Sequence, residues 1–176
     1  MDPHAFEYLD LLTVSEASDI AEDATADYYK FSTVQWKRHR YEVKTLSSLK
    51  IPEEGANAFA ALKRGEWVSN NLGKKYYNND FYLICLQDHL IFHALRRDSR
   101  LDLFPLLVYV LTHELVHIVR FCNFFQRFDV DIVKKGGEET LVHGITFEIL
   151  KDLSLPKLDY VLASYMGHRE REILPC

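Results

Sequence analysis

The chain has 176 residues, of which 48% are hydrophobic, 13% aromatic and 27% charged, with a formal net charge of −5. This length fits one domain with a core of its own, and the aromatic and branched content argues against disorder. The acidic balance argues against nucleic acid as a partner, since phosphate neutralisation calls for a basic surface.

The three cysteines, Cys85, Cys122 and Cys176, are far apart and form no CxxC pair. That excludes a disulfide framework and a zinc ribbon. The opening MDPHAFEYLD lacks the basic and apolar regions of a signal peptide. The longest apolar stretch, Leu103–Phe125, is broken by His113, Glu114, His117, Arg120 and Asn123, too polar a set for a membrane span. The expectation is a cytoplasmic protein without a membrane partner.

In chain order, Thr13-Val14-Ser15-Glu16 reads as a capping box that opens a helix over about Ser15–Tyr29. Val34–Leu46 alternates and is rich in β-branched and aromatic residues, so it reads as a strand near a sheet edge. Its Lys37-Arg38-His39-Arg40 run fits a solvated strand face. Pro52-Glu53-Glu54 is expected to open a short helix reaching about Lys63. Gly65 and Gly73 bracket an unassigned segment, and Asn78-Asn79-Asp80 signals a turn. Phe81–Leu86 and Leu90–Leu95 read as two short strands or one bent one. His89 and His93 fall there and are expected to be structural or surface residues.

A long helix follows over about Leu103–Phe125, with Pro105 near its first turn. Gln126–Lys135 reads as a loop or short strand and Gly136-Gly137 as punctuation. A second helix is expected over about Glu138–Leu153, and a last short one from Pro156 to about Met166. The fold class is therefore α+β: a small mixed or antiparallel sheet packed on a long helix and the helix after it, in one domain spanning 1–176.

The chemistry lies in the long helix. His113-Glu114-Leu115-Val116-His117 is an HExxH motif. Residues four apart share a helix face, so both imidazoles can address one metal ion. Zn2+ lowers the pKa of a bound water toward about 7, and Glu114 can take its proton as general base. A catalytic zinc site needs a third protein ligand. The next helix offers Glu138, Glu139 and His143. Glu139 and His143 are four apart, so either one can be that ligand. Glu138 suits a first-turn acid favoured by the helix dipole. A purely structural role for Glu114 would be a salt bridge to Arg120 or Arg127. Cys122 reads as a buried thiol, and Phe121, Phe124, Phe125 and Phe128 as core.

These residues resemble the zincin metallopeptidases, and most closely their gluzincin branch, where a Glu on the following helix completes HExxH. The matching string is Glu139-Thr140-Leu141-Val142-His143, with Phe147 behind it. His143 stands where that branch usually has an Asp or Asn steadying the first imidazole. His143-Gly144-Ile145-Thr146-Phe147 resembles instead the HGxxF string of the SprT-like group, in which the His is the ligand. The metzincin pattern is absent, because Arg120 occupies its glycine position.

The gluzincin-like resemblance implies a zinc metallopeptidase with ligands His113, His117 and Glu139. Glu114 would be the base; Tyr165 or His168 could hold the oxyanion, although the segment after the last helix reads more readily as a disordered tail. A peptide or protein substrate would lie along an edge strand, for which Phe81–Leu86 or Leu90–Leu95 are the candidates. The other reading is a non-catalytic, regulatory metal-binding module. There His113, His117, Glu139 and His143 together would close the coordination shell.

Overall fold

A computed structural model describes residues 5–37, 40–46, 58–65, 81–123 and 132–166. Among these residues it is α+β, with six helices and a three-stranded mixed sheet. The elements run α1 (Tyr8–Tyr29), α2 (Thr33–Trp36), β1 (Arg40–Lys44), β2 (Ala60–Gly65), β3 (Phe81–Leu86), α3 (Asp88–Arg97), α4 (Leu103–Cys122), α5 (Ile132–Leu150) and α6 (Leu158–Met166).

The organising element is α4. All but one of its residues from Pro105 to Val119 are buried, so it is apolar around nearly its whole circumference. A helix of that kind belongs in the middle of a fold. By length and composition α4 could cross a membrane, but 83% of its apolar window is buried within the protein, where a core helix lies. It touches α1, α5, α6, β2 and β3.

α1 meets α4 through Val14, Ala17, Ala21 and Thr25, spaced three and four apart on one face. Two alanines there let the helices approach closely. The buried Thr25 hydroxyl donates to the Ala21 carbonyl at 2.7 Å, so no polar group is stranded. α1 begins earlier than expected. Glu7 caps it and Asp10 completes the box, while Thr13 is already helical and donates to the Leu9 carbonyl.

In the sheet β3 is central, parallel to β1 on one side and antiparallel to β2 on the other. Tyr82, Ile84, Cys85 and Leu86 of β3 are buried, as befits a strand covered on both sides. The expected substrate edge is therefore corrected. Phe81–Leu86 is the middle strand, and Leu90–Leu95 lies within α3 and is not a strand. The helical signal there is the spacing of the buried Asp88, Ile91 and Ala94.

Other boundaries also move. The strand expected over Val34–Leu46 is shortened to β1 at one edge of the sheet, after the single turn α2. Ser32 caps that turn and Gln35 closes the box. The helix expected to run from Pro52 to Lys63 ends in β2, whose residues Ala60–Gly65 pair with β3; residues 52–57 lie outside the described residues. Gly136-Gly137 sits inside α5 and does not precede it. The Gly65–Gly73 segment beyond Gly65 and the Asn78-Asn79-Asp80 turn lie outside the described residues, as do Arg38 and His39.

Candidate metal centre

The HExxH residues occupy the stretch of α4 that faces α5. His113 and His117 lie one turn apart, and their Nε2 atoms approach to 3.2 Å. Glu139, from the first half of α5, reaches both. Its Oε2 lies 3.2 Å from His113 Nε2 and its Oε1 3.2 Å from His117 Nε2. Ring packing orients the imidazoles. His117 stacks on Phe121 at 5.8 Å between centroids, and Phe121 stacks in turn on Tyr82 of β3.

His143, one turn beyond Glu139, comes to 4.5 Å from the His113 ring, centroid to centroid. His113, Glu139 and His143 each bring a possible ligand atom within 4.8 Å of the others. The Tyr109 hydroxyl hydrogen-bonds His143 Nδ1 at 2.6 Å. Tyr109 stacks on Tyr165 of α6, and Tyr165 packs edge-on against Phe59 just before β2. Tyr165 thus borders the site through Tyr109, while His168 lies outside the described residues.

Burial and neighbouring charges set the protonation of the cluster. Burial pushes His113 down to about 4, helped by the facing His117 and His143 and opposed by Glu139. Burial also works against a charged His117, but its hydrogen bond to Glu139 and the surrounding carboxylates outweigh it and raise its pKa. Glu139 is held well below the usual carboxylate range, because the bonds from both imidazoles overcome its partial burial. Glu114, 8% exposed, is pushed up to about 7 by burial.

These donors suit a cation. Two imidazole nitrogens and a carboxylate are the donor types zinc takes. His113 Nε2 lies 3.2 Å from His117 Nε2 and from Glu139 Oε2, and His117 Nε2 lies 3.2 Å from Glu139 Oε1, so each imidazole faces its own carboxylate oxygen. Nδ1 of His113 and of His117 is enclosed without a hydrogen-bond partner. The Nε2 atoms are the ones turned toward the carboxylate, and His113, Glu139 and His143 form a possible metal-binding group.

Several expectations resolve differently. Arg120, weighed as a partner for Glu114, forms a two-bond ion pair with Glu138: Nε to Oε1 at 2.5 Å and Nη2 to Oε2 at 2.9 Å. Glu138 is thus held by a side chain, where a helix-dipole role was expected. Cys122 is partly exposed and is not a buried thiol. Phe121 packs against the core as expected, whereas Phe124, Phe125, Arg127 and Phe128 lie outside the described residues. His89 and His93 share a face of α3 but join no cluster of three or more potential ligands among the described residues.

The Tyr109–His143 contact and the Arg120–Glu138 pair escaped sequence reasoning. The available signal was spacing: Tyr109 lies one turn before His113, and Arg120 one turn after His117.

Comparison with known proteins adds no relative: no family model, no curated protein and no solved structure matches this chain.

Proposed function

We propose that this chain is a zinc-dependent metallopeptidase on a gluzincin-like scaffold, with His113, His117 and Glu139 holding the metal and Glu114 as general base. The observation that supports it most is the convergence of both HExxH Nε2 atoms on one carboxylate at 3.2 Å. When bound, zinc would supply Lewis acidity, polarising a carbonyl and acidifying a water. Glu114 would take the proton of the attacking water and pass it to the leaving amine nitrogen. Tyr109 would hold His143 beside the reacting centre through Nδ1.

An extended peptide would add to a sheet edge. β2 is the favoured edge, because Phe59, just before it, packs on Tyr165 and so connects to Tyr109. The test is Glu114→Gln. It should keep zinc at the wild-type level and lose hydrolysis of a peptide library. Undiminished turnover at equal metal content would refute the mechanism.

The second reading is a regulatory metal-binding module, favoured by one observation: His143 lies within 4.8 Å of the His113 and Glu139 donors. With His143 as a fourth ligand the shell would be closed, as structural zinc sites are.

A further inference from the structure

Glu138 and Glu139 are neighbours in sequence, and they are held in very different ways. The Glu138 side chain is 9% exposed and is gripped by the Arg120 guanidinium through two parallel bonds. Such fork-to-fork pairs fix geometry as well as supplying energy. The Glu139 side chain is 44% exposed, so packing alone does not hold it in place.

Its own helix gives it little support on the N-terminal side. Gly136 and Gly137 directly precede the two acids within α5. A Cβ built at either position meets nothing within 4 Å, and neither residue is in the left-handed region. Space and backbone therefore do not demand glycine there. Each one weakens the helix by about 1 kcal/mol relative to alanine. The turn that carries Glu139 is locally weak, and besides Glu139's own contacts with the imidazoles it is tied to α4 by the ion pair one residue away.

We propose that the Arg120–Glu138 pair is the positioning device for Glu139. It pins the glycine-weakened turn of α5 to the HExxH helix and holds Glu138 on the guanidinium, leaving Glu139 to face the imidazoles. The guanidinium cancels the Glu138 charge, so Glu139 supplies the anionic donor. Tyr29, the last residue of α1, lies near enough to feel both charges. The inference rests on the metal-site reading above.

The test measures Zn2+ affinity by competition with a chromophoric chelator, well below the melting temperature, alongside the melting temperature of the metal-free protein. Arg120→Gln and Glu138→Gln should each weaken zinc binding by about tenfold or more, as lost support of a ligand does. The double variant should bind more tightly than either single one, because two amides can pair and no buried charge is left alone. Arg120→Lys keeps the charge but loses the fork, and should fall between wild type and Arg120→Gln. If Arg120→Gln fails to fold, weakened binding by Arg120→Lys at an unchanged melting temperature supports the same conclusion. Wild-type affinity in both glutamine variants with lowered melting temperatures would overturn the inference alone, leaving the pair a fold contact only. No zinc uptake by the wild-type protein would overturn the metal-site reading and this inference together.

Discussion

The Tyr109 hydroxyl meets Nδ1 of His143 at 2.6 Å, while the Glu139 carboxylate meets Nε2 of both His113 and His117. The two candidates for third ligand therefore stand in different positions. His143 has one ring nitrogen committed to a phenol, whereas Glu139 already faces both HExxH imidazoles.

That difference predicts an order of effects. Glu139→Ala should lower zinc affinity by more than about a hundredfold, the loss of a ligand. His143→Ala should lower it by about ten- to a hundredfold, as loss of an outer partner does. Titration against a competing chelator measures both, and the reverse order would make His143 the ligand.

Acid stability should depend on a group remote from the site. Asp98 accepts two bonds from the Arg100 guanidinium at 3.1 Å and one from the Tyr160 hydroxyl. The Arg100 bonds, and then the Tyr160 bond, hold its carboxyl well below the usual range. A depressed folded-state pKa means that the contribution is present above the unfolded value, about 4. It is lost as pH falls from there through the folded value. Asp98→Asn should therefore flatten the fall in melting temperature below about pH 4. Parallel acid limbs in the two proteins would contradict this.

Asp88 joins three segments. Its buried Oδ2 accepts the backbone N–H of Phe6 at 2.9 Å and of Leu46 at 3.2 Å, at the start of α3. Asp88→Ala strands two buried donors and should cost about 2–4 kcal/mol in urea unfolding. Asp88→Asn keeps an acceptor and should cost clearly less. Equal losses would mean that side-chain charge matters there, and not the bonds to backbone.

The parts of this fold legible in the sequence are those governed by local spacing. His113 and His117 share a face because four residues make a turn, whatever surrounds them. β3 shows in its apolar run, and α4 in its length. What escaped depends on distant chain or on overlooked caps. The central place of β3 comes from pairing with Arg40–Lys44 and Ala60–Gly65, which no local pattern announces. α3 was hidden because its apolar residues also fit short strands, although Ile91 and Ala94 keep a helical interval. Ser32 and Gln35 carried a capping-box signal inside what reads as strand. Glu139 was identifiable as a candidate by its spacing from His143. Its reach to both imidazoles is a tertiary fact, set by how α5 lies against α4.

We propose that His113, His117 and Glu139 hold a metal ion, and elemental analysis of the purified, untagged protein tests this most directly. The prediction is about one zinc per chain, removed by chelation and absent from His117→Ala. No stoichiometric metal in the wild-type protein after zinc is supplied would contradict it.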